Sequence, residues 1–186
     1  MNPRRLIPLL LVPALGGMYY TLQRMGEPAS APAAAPASPP LYRLNQAELT
    51  RYGSDGTPML RGIAQRVDYF PDQSGQAYDL QLDLLSASGT PWRLSAPGAV
   101  LPAGDHRFEL SGPVLAEGHW PDDGSALQAR TEQLWIDPDL HEIETDAAVE
   151  LQGELREGHA RGLRADWSAR NLWLLHDVQM QYEAPH

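Results

Sequence analysis

The chain contains no cysteine and no lysine. Without cysteine there is no thiol nucleophile, no disulfide framework, no iron–sulfur cluster, no thiolate-bound zinc and no lipid attached through sulfur. Without lysine there is neither a P-loop lysine for phosphates nor a Schiff-base amine. No G-x-S-x-G elbow and no H-E-x-x-H motif occurs. The 14 basic residues are all arginine and face 24 acidic ones, for a net charge of −10. Nucleic acid phosphates need basic patches, so nucleic acid is set aside as a partner. No cofactor is expected, and the chain reads as a non-enzyme.

What is present begins at the N-terminus. Arg4 and Arg5 precede an uncharged run from Leu6 to Leu22, closed by Arg24. The run is close to the roughly 20 residues of a spanning helix. Tyr19 and Tyr20 fall where an interfacial aromatic belt belongs, and the paired arginines favour an inside N-terminus with the remainder exported. Residues 1–25 are therefore expected to form a transmembrane anchor; the competing reading is a cleaved signal peptide. Residues 26–40 hold five prolines and six alanines. Such a linker favours polyproline II at about 3.1 Å per residue, a reach of roughly 45 Å; the alternative is a disordered tether with no set length.

From residue 41 to 186 the pattern changes to period two. Leu80, Leu82 and Leu84 alternate with Gln81 and Asp83, and Trp92, Leu94 and Ala96 with Arg93 and Ser95. Phe108–Gly112, Val149–Gly153 and Val178–Tyr182 behave alike. Each is the signature of a half-buried strand. Ser54-Asp55-Gly56, Ser88-Gly89, Ala103-Gly104-Asp105, Asp122-Asp123-Gly124 and Asp137-Pro138-Asp139 mark turns. Leu60-Arg-Gly62, Leu94-Ser-Ala96, Leu127-Gln-Ala129 and Leu163-Arg-Ala165 repeat, their small residues 34, 33 and 36 positions apart. That spacing signals a stacked unit of a few strands. The expected fold is all-β: a twisted antiparallel jelly roll or two packed sheets, behind one N-terminal transmembrane helix.

Small residues at Gly62, Ala96, Gly112, Ala129, Gly153 and Ala165 fit either tight packing or a slot for a ligand. Asp137, Asp139, His141 and Glu144 cluster as metal ligands sometimes do, but at a turn where polar residues gather anyway. Arg161 and Arg164 read as solvated side chains rather than a phosphate site.

Tyr52–Phe70, Trp92–Ala96, Phe108–Val114, Val149–Gly153 and Gly162–Ala165 together resemble the LptC family of Gram-negative lipopolysaccharide export. The resemblance runs from about Leu41 to Tyr182 in order, and the anchor and linker suit it. It implies a single-pass protein of the inner membrane with a periplasmic β-jelly roll. Such a protein receives lipopolysaccharide from an inner-membrane ABC transporter and passes it to the periplasmic bridge protein LptA. On that reading Tyr69, Leu82, Trp92, Leu94, Phe108, Leu110, Ile136, Leu151, Leu163 and Leu174 line a lipid-binding interior. Val149–Leu155 and Leu172–Tyr182 would supply the outgoing edge, with Gly153, Leu155, Leu172, Val178 and Met180 at the partner interface. Two other readings stay open: a tethered protein-binding module with a filled core, and a soluble bridge protein of the same fold.

Overall fold

Alternation at period two, interrupted once in each strand, builds the domain. The computed structural model describes residues 39–86 and 91–182. The expected anchor and all but the last two linker residues lie outside them, as does the Ser88-Gly89 turn. Among the described residues no helix is long and apolar enough to cross a membrane.

Nine strands follow one another: β1 (Tyr42–Tyr52), β2 (Pro58–Tyr69), β3 (Gly75–Leu84), β4 (Trp92–Leu101), β5 (Phe108–His119), β6 (Ala126–Asp137), β7 (Glu142–Gly153), β8 (Arg156–Asp166) and β9 (Asn171–Tyr182). They form one antiparallel sheet in sequence order, with β1 and β9 as its edges. The expectation of two separate sheets is therefore corrected: no strand crosses over. The sequence repeat is a strand pair, since its four copies sit on β2, β4, β6 and β8.

The two layers are instead the two halves of the same strands. These run 10 to 12 residues, about twice the usual length of a strand, and each is interrupted near its middle. Pairing lapses at Gln46, Gln65, Asp79 and Pro97 across β1–β4. Across β5–β8 the register shifts at Ser111/Val114, Arg130/Trp135, Thr145/Ala148 and His159/Arg161. Gln46, Asp79, Gly112, Gly162 and Asp177 take positive φ along this line.

An extra residue in a strand reverses which side chains face inward beyond it. In β4 the buried set passes from Leu94 and Ala96 to Ala99, and in β6 from Leu127 and Ala129 to Leu134 and Ile136. Both halves thereby turn apolar side chains to one side, and the sheet folds along the kink line to bury them. Leu94, Leu110 and Ile136 are 0% exposed, which a single uncovered layer cannot achieve. Arg51 near the end of β1 accordingly reaches Asp139 in the β6–β7 turn at 2.5 Å, from one layer to the other.

Turn chemistry closes the hairpins. Oδ1 of Asp55, Asp72, Asp105, Asp123, Asp137 and Asp166 each accepts the backbone N–H two residues on, the Asx turn. Much of the acidic surplus is therefore structural. The Thr57 and Ser74 hydroxyls, then their N–H groups, hold Asp55 and Asp72 below the ordinary carboxylate value. The N–H groups of Arg107 and Ser125 are the main cause for Asp105 and Asp123.

Candidate functional site

The inner face does not end where the core ends. On β1, Tyr42 and Leu44 stand opposite Tyr69 and Val67; beyond Gln46, Ala47 and Leu49 stand opposite Ala64 and Gly62. All four β1 side chains thus belong to the inner row. Yet Leu44 is 49% and Leu49 58% exposed, because no further strand walls them in. Between the halves of β1–β5 this leaves an apolar groove of about 220 Å³, lined by Leu49, Ala64, Val67, Tyr69, Leu80, Leu82 and Phe108 among others. That is less than the about 300–1,000 Å³ of a pocket for a drug-sized ligand. The groove opens at the edge strand, so an occupant can extend beyond it.

Two contacts hold the first half of β1 over this mouth. The Tyr42 and Tyr69 rings stack at 4.8 Å. On the opposite face the Arg43 guanidinium donates to both Asp68 oxygens at 2.6 and 3.1 Å. Arg66 stands 3.5 Å from the same carboxylate, and its guanidinium lies 3.7 Å over the Tyr78 ring. The Arg43 hydrogen bond outweighs the effect of desolvation and holds the Asp68 carboxyl below its ordinary value. The groove itself presents carbon. Its lining is almost wholly carbon, with Tyr69 and Gln76 bringing the polar side-chain groups, and it suits aliphatic chains.

At the other edge the inner row is again covered only in part: Leu172, Leu174 and Met180 are half-buried against the core. Leu172 and Leu174 pair with Ala165 and Leu163, and Met180 with Gly158. Val178 is 45% and Tyr182 70% exposed. The apolar interior therefore runs from edge to edge, closed in the middle and open at β1 and β9.

The structure divides the ten expected lining residues. Tyr69, Leu82 and Phe108 meet in the groove. Leu94, Leu110, Ile136, Leu151 and Leu163 are buried in the filled centre, with Trp92 and Leu174 packed against it. Leu49, Ala64, Val67 and Leu80 line the groove as well, beyond those ten. The kink at Gln46 breaks the alternation of β1, so its inner row does not show as a period-two run.

The small residues divide too. Gly62 lies in the groove, where Leu82 Cδ2 fills its missing side chain, 2.8 Å from a built Cβ. Ala96, Ala129 and Ala165 are buried by packing. Gly112 is a kink glycine with φ +86°, pressed on Pro97.

Of the expected interface residues, Leu172, Val178 and Met180 lie on edge strand β9. Gly153 does not lie on an edge: β7 pairs with β6 and β8, so the expectation that Val149–Leu155 forms an edge is corrected. A Cβ on Gly153 would come within 2.7 Å of Trp120 Nε1. Leu155 follows in the β7–β8 turn, 48% exposed.

The acidic turn is likewise spoken for. His106, Asp137 and Asp139 bring ligand atoms within 4.8 Å of one another. Asp137, however, accepts the N–H groups of Asp139 and Leu140, and Asp139 pairs with Arg51. His141 packs edge-on against Trp167 at 5.4 Å, and Glu144 takes Arg164 at 3.0 Å.

With this geometry in view, three comparisons bear on identity. No curated protein matches the sequence. Among solved structures, the chain is similar to LptH from Pseudomonas aeruginosa, described as the LptA-homologous periplasmic component of the conserved lipopolysaccharide transport device. The TM-score is 0.51 at 11% identity, over 67% of this chain and 95% of that one. Identity that low speaks for the fold alone. Residues 9–183 match the family model described as lipopolysaccharide-assembly, LptC-related. That match spans nearly the whole chain, which belongs to the LptC family and so to lipopolysaccharide transport rather than to an enzyme family.

Proposed function

We propose that the domain receives lipopolysaccharide acyl chains at the β1 edge and passes them on at the β9 edge. The observation that carries this is the continuous inner row, apolar but for buried Thr145 on β7, whose exposed large side chains among the described residues lie on the two edge strands. An edge strand offers unpaired backbone groups to a further strand. Here it also offers bare apolar side chains, so another sheet added at either edge would prolong the interior as well as the ladder. The donor at β1 is the inner-membrane ABC transporter of the export system, and the acceptor at β9 is the bridge protein LptA. The body stands in the periplasm, with residues 1–25 as the inner-membrane anchor.

Affinity would come from carbon. Each methylene removed from water contributes about 0.8 kcal/mol, and no ion pair is needed. The acidic exterior keeps lipid phosphates outside.

The test is a photo-crosslinking amino acid at Leu49 in living cells, with its outward neighbour Glu48 as control. A lipopolysaccharide adduct at Leu49 alone is the expected result. Protein that folds but gives no adduct at Leu49, Val67 or Leu80 would favour the second reading, a tethered protein-binding module. That reading draws on the filled centre around Leu94, Leu110 and Ile136.

A further inference from the structure

A second cavity lies where the free ends of the two layers meet. Trp92, His119 and Pro121 come from the outer ends of β4 and β5, and Trp167, Arg170 and Asn171 from the end of β8 and the start of β9. It measures about 260 Å³ and is separate from the β1 groove. No backbone ladder joins its two walls, since only strands adjacent in sequence pair.

Its chemistry differs from that of the groove. The Trp92 ring lies flat on Gly118: a built Cβ there would sit 2.3 to 2.6 Å from three ring carbons. Gly118 thus covers one face of the indole, and Trp92, partly buried and packed against the core, also lines the cavity. Trp167 is 3% exposed, and its Nε1 donor has no partner among the described residues. Asp166, also in the wall, accepts Ser168 N–H, Ser168 O–H and Ala169 N–H all on Oδ1. Burial alone would raise this carboxyl, but those bonds outweigh it and keep it ionised, with Oδ2 left to accept. Arg170 and Asp166 cancel in charge. His119 and Asn171 add planar polar groups.

An aromatic face beside several planar donors and acceptors, in a site of no net charge, fits a neutral polyhydroxylated ring better than an anion or a chain. The volume falls just under the about 300–1,000 Å³ of drug-sized pockets and suits one ring. We infer that this seam cavity is a saccharide subsite. Trp92 lies against the C–H face of the ring, and His119, Asp166, Arg170 and Asn171 take its hydroxyls. The identification of that saccharide as part of the carried lipopolysaccharide rests on the transport reading above; the binding itself does not.

The full-length protein in detergent is titrated with glucose and with N-acetylglucosamine. Saturation-transfer NMR and tryptophan fluorescence follow binding, and a thermal melt checks the fold of every variant. Saturable binding of at least one sugar is expected. Asn171→Ala and His119→Ala should each weaken it about three- to tenfold, and Trp92→Leu should abolish it. Gln179→Ala, on β9 outside the cavity, should leave it unchanged. Three results would overturn the inference: no saturable binding by folded protein, equal weakening by Gln179→Ala, or displacement of the sugar by inorganic phosphate. Sugar binding without a lipid adduct at Leu49, Val67 or Leu80 would sink the transport reading and spare the subsite. The converse pair would do the opposite.

Discussion

Leu110 and Leu49 carry the same instruction and meet opposite fates. Both are leucines on the inner row of a kinked strand. Leu110, on the fifth of nine strands, is 0% exposed; Leu49, on the first, is 58% exposed. The difference is not one of side chain or strand but of what stands opposite. A sheet that folds along a line through its strands covers its own middle and leaves its first and last strands half covered. The filled centre gives the domain its stability, and the uncovered ends are where the proposed function places binding.

The sharpest way to break this comparison is to truncate both leucines. Leu110→Ala should cost about 2–5 kcal/mol in urea unfolding, as buried leucines do. Leu49→Ala should stay within about 0.5 kcal/mol while lowering the yield of lipid adducts at neighbouring Val67. Equal destabilisation would mean that the mouth is ordinary core.

Gly153→Arg should cost about 1–3 kcal/mol by overpacking against Trp120. Any loss of bridge-protein capture by that variant would then report damage to the fold. Val178→Asp, on the exposed edge, should reduce capture in pull-downs with its melting temperature nearly unchanged. Undiminished capture by Val178→Asp would remove β9 as the outgoing edge.

Acid should act on the whole fold. Asp55, Asp68, Asp72, Asp105 and Asp123 all have carboxyl groups depressed by hydrogen bonds in the folded state. A depressed carboxyl contributes stability in full well above its unfolded value of about 3.9. That contribution is lost as pH falls through the lower folded values. Thermal melts should therefore be flat near neutrality and fall steeply below about pH 4. Asp68→Asn should make that fall shallower.

The smallest effect should be local. Arg43→Ala removes the bidentate pair with Asp68, so amides in the first half of β1 should exchange faster, with those of β5 and β6 unaffected. Faster exchange throughout would show that β1 is part of the cooperative core.

Much of this architecture was legible in the residues. Strict alternation at Leu80–Leu84 and Trp92–Ala96 marked strands, and Asp-Gly and Asp-Pro clusters marked turns. The repeat of about 34 residues marked a regular stacking unit. Less legible was the groove. Its β1 wall changes parity at Gln46, so Tyr42, Leu44, Ala47 and Leu49 do not read as one face. Gly153 looked like an edge glycine because Val149–Gly153 looks like any other strand. Only its pairing on both sides shows it to be interior.

The sequence by itself determined that the domain is all-β, that it needs no thiol or lysine chemistry, and which side chains prefer the inside, because period-two alternation and turn residues act locally. The tertiary structure alone decided that one sheet folds on itself rather than two sheets meeting. It also decided which inward residues are walled in and which line an opening. Coverage depends on strands far away in the chain, and no residue's own chemistry records what will stand across from it.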